Sequence, residues 1–468
     1  MCASSGGNPI DFATGVKHQT ETDYSGGTLS LSRYYRSDAE DLSGTFGEKW
    51  RHNFDRKANI AITPETTTVD VVNADESLTV FKKDSSGDWN AFDESTTSTF
   101  EDVFDAVPAH VGYLYTTDSD TREYYDLDGL LTRIEYRGGE ALDLEYDGSD
   151  RLDIVTNEEG KTLDFTYNGS DQITSIVTPT GTFSYTYDGN DNIVTVTKPD
   201  TEVRTYHYEN VSYVNALTGL TDEEGVRFAT WAYDSDGRAI SSEHAGGVGD
   251  FTVSYNSDDT VTTTNALGKD TIYHFQTING IKYVTNVDGQ ASTNCTAASR
   301  SNTYDARGFL ESKTDWKGNV TDYERDSLGL ITSRKEDVGG SAERTTTTTY
   351  DATFRVPNVI TETGKTTDYD YDSDGRTTSV TVTDTNTSET RVTTYSYYAN
   401  TTDANGNTVF GKLHQVNGPR TDVTDVTTYT YDGSLRLIKV ADAVGNETEA
   451  TSFDSANRPL TVEDENDV

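Results

Sequence analysis

Three stretches of the chain decide its fold: Ala141-Leu142-Asp143-Leu144-Glu145-Tyr146-Asp147-Gly148-Ser149-Asp150, Thr162-Leu163-Asp164-Phe165-Thr166-Tyr167-Asn168-Gly169-Ser170-Asp171 and Gly181-Thr182-Phe183-Ser184-Tyr185-Thr186-Tyr187-Asp188-Gly189-Asn190-Asp191. In each, apolar residues alternate strictly with polar ones, and a period of two is the period of a β-strand with one face to bury and one to wet. Each then runs into a cluster of Asp, Asn and Gly, residues that tolerate positive φ and close tight turns. A second apolar stretch follows the turn, Ile173 to Val177 and Ile193 to Val196. The unit is a β-hairpin.

The same unit recurs outward from these copies in both directions. Tyr or a near substitute followed by Asp or a near substitute appears at Tyr125-Asp126, Tyr146-Asp147, Tyr167-Asn168, Tyr187-Asp188, Tyr208-Glu209, Tyr233-Asp234, Tyr255-Asn256, Tyr304-Asp305, Tyr350-Asp351, Tyr371-Asp372, Tyr431-Asp432 and Phe453-Asp454. The first five copies are 21, 21, 20 and 21 residues apart, too short for a four-stranded propeller blade and long enough for one hairpin with two turns. A second series of turns, marked by Gly160, Gly181, Gly225, Gly268, Gly318, Gly364 and Gly445, leads from each hairpin to the next. Thr abundance, including the run Thr345 to Thr349, fits strands with a half-solvated outer face. Helical periodicity is absent. The expectation is an all-β protein: a non-repeat entry region over 1–110, feeding an array of roughly 15 hairpins over 111–468. At about 4.8 Å per strand that ribbon is on the order of 140 Å long, and strand twist winds it into a spiral. The pattern weakens over 256–303, which holds Cys295, and over 397–430.

Composition narrows the function classes. Asp plus Glu total 80 against 37 Lys plus Arg, a formal charge of -43, which argues against nucleic acid and anionic membrane surfaces as partners. The hydrophobic fraction of 33% is low for a compact enzyme, where about 45–50% is usual. Yet 29 Tyr is too aromatic for a disordered chain. Two cysteines, Cys2 and Cys295, allow at most one bridge and exclude a disulfide scaffold or a Cys-based zinc site. No stretch reaches the 18 apolar residues that span a bilayer, and the first residues show no signal peptide, so any export signal is expected elsewhere. Cys2, followed by small residues, is a candidate lipid-bearing cysteine.

These residues resemble the YD-repeat, or Rhs, family, which includes bacterial polymorphic toxins, the C component of insecticidal toxin complexes and the animal teneurins. Tyr125-Asp126-Leu127-Asp128-Gly129-Leu130-Leu131 and Tyr304-Asp305-Ala306-Arg307-Gly308-Phe309-Leu310 are similar to the family consensus. Gly7-Asn8-Pro9-Ile10, Glu21-Thr22-Asp23-Tyr24, Leu31-Ser32-Arg33-Tyr34-Tyr35 and Gly47-Glu48-Lys49-Trp50-Arg51-His52-Asn53-Phe54 are similar to the segment that begins an Rhs shell. The resemblance implies a ribbon coiled into a hollow cocoon that, in toxin members, encloses an effector. Toxin members close that shell with an Asp-Pro-containing motif and cut themselves there; this sequence has no Asp-Pro and stops within a repeat, so no autoprotease residue carries over, and a fragment, one part of a larger shell or a reduced family member is expected.

Motifs for chemistry are missing: no G-x-S-x-G, H-E-x-x-H, G-x-G-x-x-G or Walker loop, and seven scattered His. With 80 acids, paired carboxylates carry no information about a glycosidase site. Asp126-Leu127-Asp128-Gly129, Asp234-Ser235-Asp236-Gly237 and Asp372-Ser373-Asp374-Gly375 open like calcium loops, but the remaining ligands of an EF-hand are absent as a set, so they read as turns. Trp50-Arg51-His52 reads as core of an entry strand rather than a pocket, and the repeat Tyr as inward and buried; replacing Tyr167 or Tyr187 by Ala would then cost about 3–5 kcal/mol. Asn210-Val211-Ser212 and Asn446-Glu447-Thr448 are glycan acceptors only after a glycosylating pathway. No catalytic residue, cofactor or metal is expected. The residues that matter are structural: Tyr125, Asp126, Tyr146, Asp147, Tyr167, Tyr187, Asp188, Tyr233, Asp234, Tyr304, Asp305, Tyr371, Asp372, Tyr431 and Asp432. The expected function is a shell segment, extracellular or at the cell surface, that encloses, protects or presents a secreted polypeptide such as a toxin, partnered by that cargo or by further shell. The contrasting class is a surface adhesin that binds glycan or a partner protein.

Overall fold

The computed structural model describes residues 5–6, 9–39, 44–63, 66–73, 77–93, 96–106, 109–290, 297–399, 411–433, 435–454 and 458–464. Cys2, Cys295, Gly7, Asn8 and the last residues, Asp467 and Val468, lie outside them, so the readings placed on those positions have no structural counterpart. Thirty-two strands, from Thr99–Phe104 to Pro459–Asp464, form one antiparallel sheet in strict chain order. A meander of this kind is what repeated hairpins give when each pairs with the next. The described helical content is one 3-10 turn, Ala245–Gly247.

The alternation seen in the sequence is the burial pattern of the sheet. Leu142 and Leu144 are buried while Asp143 and Glu145 are exposed, and Leu163, Phe165, Phe183 and Tyr185 repeat the pattern. What covers this inner face is the entry region. It folds as a three-stranded sheet, His18–Gly26, Leu29–Arg36 and Trp50–His52, and a four-stranded one, Lys57–Ile62, Thr67–Val72, Leu78–Lys83 and Trp89–Ala91. One continuous core joins entry residues Leu29, Leu31, Tyr35, Phe46 and Trp50 to array residues as far as Trp231; a second joins Ile10 and Phe12 to Ala239, Val253 and Val261.

The join also carries buried charge. Arg33, 1% exposed, donates to Asp23 at 2.6 and 2.9 Å and to the Tyr206 hydroxyl at 3.0 Å, while the Tyr185 hydroxyl donates to Asp23 at 2.8 Å. The guanidinium stands 5.2–5.6 Å from the rings of Phe46, Trp50, Tyr185 and Tyr206. A buried cation is tolerated when it is paired and bonded in this way. Trp50 and His52 are fully buried, Trp50 donating through Nε1 to the Tyr208 hydroxyl at 2.8 Å; the Trp50-Arg51-His52 motif is core.

Beyond Val287 the cover stops among the described residues. The buried apolar residues described after it are Val356 and Leu435, although the strands continue to Asp464. The sheet has by then come round on itself. Arg355 donates to the carbonyls of Thr97 and Thr117, the latter at 3.0 Å, and stands 3.5 Å from Asp120, which also pairs with Arg137 at 3.2 Å. Lys412 meets Glu140 at 2.5 Å. Strand Arg344–Tyr350 lies twenty-one strands after strand His110–Thr116, so one circuit measures about 100 Å at the usual strand spacing. The ribbon is a coil whose second circuit rests on the turns of the first.

One charge cluster ties the coil to its entry region in a pH-dependent way. Arg204 bridges Glu21 of the entry sheet and Glu223 of the array, and Lys198 meets Glu223 at 2.5 Å. Burial opposes ionisation of Glu223, but the bonds from Lys198 and Arg204 more than offset it and hold the carboxyl down to about 2. With an unfolded value of about 4.3, this cluster contributes its full stabilisation above that pH and loses it as pH falls toward 2. Thermal melts of wild type and Glu223→Gln between pH 6 and 2 check this: the wild type is the more stable at pH 6, and the gap closes on acidification.

Candidate functional site

The recurrent joint between hairpins is the site that the sequence motif builds. Its turn is set by the acid after each Tyr. Asp126 Oδ1 accepts the backbone N–H groups of Asp128 and Leu130; Asp147 those of Ser149 and Arg151; Asp188 those of Asn190 and Asn192; Asp234 those of Asp236 and Arg238; Asp305 those of Arg307 and Phe309; Asp372 those of Asp374 and Arg376. Asp432 takes the Arg436 N–H in the same way. Asn168 serves equally at Ser170 and Gln172, so an amide oxygen meets the requirement. The fourth turn residue is left-handed, Gly129 at φ 77° and Asp150 at φ 59°, which explains the Gly, Asp and Asn preference there.

Most of these Tyr then sit at a register shift, Tyr255 being in unbroken register. Tyr146 pairs with Leu152 but Glu145 with Ile154, leaving Asp153 as the extra residue of a β-bulge; the shift recurs at Tyr125, Tyr167, Tyr187, Tyr233, Tyr304, Tyr371 and Tyr431. The extra residue stands on the partner strand, and the Tyr keeps the inward parity of its own strand at the strand's end. Tyr125 is buried, at 2% exposure, but Tyr146, Tyr167, Tyr187 and Tyr233 are half-buried, packed against the core at its rim rather than within it. That differs from the fully inward placement expected from alternation alone.

The position gives each hydroxyl a partner in the preceding hairpin. Tyr146 donates to the Leu131 carbonyl at 2.8 Å, Tyr167 to Leu152 at 2.7 Å, Tyr187 to Ile173 at 2.6 Å, Tyr233 to Leu217 at 2.8 Å, Tyr304 to Val284 at 2.9 Å and Tyr371 to Pro357 at 2.6 Å. The accepting residue is commonly the one opposite the previous Tyr, as Leu131 is to Tyr125 and Leu152 to Tyr146. Burial pushes the Tyr146, Tyr167 and Tyr187 hydroxyls well up, so they remain donors at any physiological pH. Tyr125 lies outside the series and donates to Glu123 at 2.6 Å, and the Tyr431 ring meets that of Tyr398 edge-on at 6.1 Å. Where Arg325 replaces Tyr, its guanidinium still reaches the Leu310 carbonyl, at 3.4 Å.

A third participant was not singled out in the sequence. Arg151, Arg238, Arg376 and Arg436 each pair with the turn acid four residues earlier, at 2.6, 2.7, 2.7 and 2.5 Å, and each covers the ring of the next copy, Tyr167, Tyr255, Tyr397 and Phe453, at 4.3–4.8 Å. The signal for it is plain once sought: Arg recurs at the fourth position after the acid. These pairs and the backbone donors occupy the acids of the calcium-like turns; Asp236 and Asp374 also meet Arg238 and Arg376. Among the described residues, no group of three or more His, Cys, Asp or Glu is placed to hold a metal ion, and no helix is long and apolar enough to cross a membrane.

Comparison with known proteins agrees with this geometry. Residues 118–301 match the family model described as Teneurin YD-shell, and residues 7–81 match Domain of unknown function (DUF6531). No curated protein matches the chain. Among solved structures, the crystal structure of TcdB2-TccC3-TEV is 14% identical over 91% of this chain and 24% of its own, with a TM-score of 0.48. The Photorhabdus luminescens Tc holotoxin pore is 12% identical over 93% of this chain and 26% of its own, with a TM-score of 0.37. The chain thus spans about a quarter of the length of those structures. Over residues 118–301 the chain matches a YD-shell family model, which supports the YD-repeat (Rhs) resemblance of its sequence.

The joint makes two separable demands. Tyr167→Phe keeps the ring and removes the donor, and is expected to cost about 1 kcal/mol; Tyr167→Ala, at a half-buried site, about 2–3 kcal/mol, below the value for a fully buried ring. Asp234→Asn keeps the acceptor and is expected to cost less than Asp234→Ala, which strands two backbone donors at about 1–2 kcal/mol. Urea unfolding of the four variants checks the order.

Proposed function

We propose that this chain is a wall segment that encloses, protects or presents another polypeptide of a secreted protein, such as a toxin, outside the cell or at its surface, and that it acts by burial and turn geometry rather than by catalysis. The supporting observation is the contrast between its two circuits. The first is filled by the chain's own entry region. The second turns Tyr323, Tyr369, Val380 and Tyr395 toward the same side, each only partly buried and outside the two apolar cores that the entry region completes. Partly exposed Tyr and Val on one face gain free energy when a further polypeptide covers them, which is what the enclosing role supplies.

Cryo-electron microscopy of the purified chain at several salt concentrations tests this. A curved wall round an internal void is the expected result. A solid rod, with the second circuit packed on itself, would sink the enclosing role.

A further inference from the structure

The inner face of the second circuit carries a run of bases. Pairing registers carry the inward face of the first circuit onto it strand by strand. Val287, buried, lies opposite Arg300; Asn302, buried, opposite Lys313; Lys313 opposite Thr321, Thr321 opposite Glu336, and Glu336 opposite Arg344; Tyr323 lies opposite Arg334. Arg300, Lys313, Arg334 and Arg344 therefore share one face of the strands from Ala298–Tyr304 to Arg344–Tyr350, with Glu336 as the carboxylate among them. Arg334 and Arg344 both lean on Glu336. The remaining charge on the patch is three positive. On the strand Val320–Arg325 the acids Asp322 and Glu324 point the other way, to the outer face. One strand pair further on the balance returns, with Lys365 opposite both Glu362 and Asp384.

In a chain with 80 acids and 37 bases, four cations to one carboxylate on an inward face is a segregation of charge. Neighbouring like charges on adjacent strands destabilise a sheet unless an opposite charge offsets them. The exposed ends of these side chains, Arg334 at 47% and Arg344 at 70%, leave them accessible from within. Tyr323 and Trp316 lie beside Lys313 and Arg300, their ring centres 5.8 and 5.9 Å from the cations, so the patch offers both charge and aromatic surface.

We infer that this patch is a docking surface for an acidic polypeptide segment, one in which Asp or Glu alternate with apolar or aromatic residues, lying across the strands from Ala298–Tyr304 to Arg344–Tyr350. This rests on the reading that the wall encloses a polypeptide and specifies the chemistry by which that polypeptide is held. Charge complementarity of this kind sets register and capture rate more than it sets raw affinity, and it weakens with salt.

The test uses a fluorescein-labelled peptide of alternating Glu and Tyr, titrated with the full chain. Binding at 50 mM NaCl is expected to weaken at least tenfold at 500 mM, and at least fivefold in Arg300→Gln/Lys313→Gln, while outward Lys335→Gln leaves it unchanged. A second measurement needs no variant: carbodiimide coupling of the bound peptide to wild-type chain, followed by mass spectrometry, should join peptide carboxylates to Lys313. The inference is overturned by absence of binding at 50 mM NaCl, by equal affinity in the double variant, by coupling to Lys335 in place of Lys313, or by equally tight binding of a twenty-nucleotide single-stranded DNA. An internal void seen by microscopy alongside any of these outcomes removes the acidic docking surface and leaves the enclosing wall in place.

Discussion

A tyrosine hydroxyl bonded to a carbonyl of the preceding hairpin is the contact on which the long sheet depends. A hairpin of this composition buries too little apolar surface to stand alone, so its stability comes from its neighbours. Ladder hydrogen bonds join strands without caring how the turns line up. The bond from Tyr167 to Leu152, or from Tyr371 to Pro357, adds that information: it reaches past the turn of one hairpin to the rim of the one before and sets their relative slide. The Tyr makes this reach from the end of its strand, with a bulge opposite as at Tyr167 or without one as at Tyr255, the Asp- or Asn-bonded turn follows it, and the Arg four residues after the acid roofs the next ring. Ring, turn and guanidinium form a linked series along the rim.

The entry region solves a different problem. A curved sheet with an apolar concave face needs a filling that matches its curvature. Residues 9–91 provide it, with backbone bonds from Ala58, Ile173, Glu48 and Ala239 crossing between entry and array at the turn-side rim. Arg33 at the centre is bonded to Asp23 and Tyr206 within a box of four rings, so a cation that would be costly in an apolar interior instead fixes the angle between the entry sheet and the wall. The second circuit has no such filling among the described residues, and its inner face is correspondingly more polar and more basic.

The fold was legible because its determinants are local. Alternation over Leu142 to Tyr146 and the Asp-Gly and Asn-Gly turns are properties of ten consecutive residues. Bulges are not so easily read, since one extra residue, Asp153 or Thr174, leaves the alternation on either side intact; the Tyr rings lie shallower than alternation alone predicts because each closes its strand beside the turn. The roles of Arg151 and Arg238 are not legible in sequence because a turn arginine reads as solvent-bound until its partner ring, some twenty residues away, is placed beside it. The contacts of Arg33 with Tyr206, of Trp50 with Tyr208 and of Arg355 with Thr117 span 158 to 238 residues, and nothing in their local sequence announces them.

Arg355 gives the coil the character of a counting device. It reaches Asp120 because a set number of strands, each occupying about 4.8 Å, lies between them. Removing or adding one hairpin in that interval would displace the guanidinium by about 10 Å along the rim and set it against a different turn of the first circuit. The same change among the later strands would leave the Arg355 contact where it is. Evolution of the array by whole-repeat gain and loss is therefore constrained over the first circuit and less so after it: length variation is expected to accumulate downstream of the turn that carries Arg355.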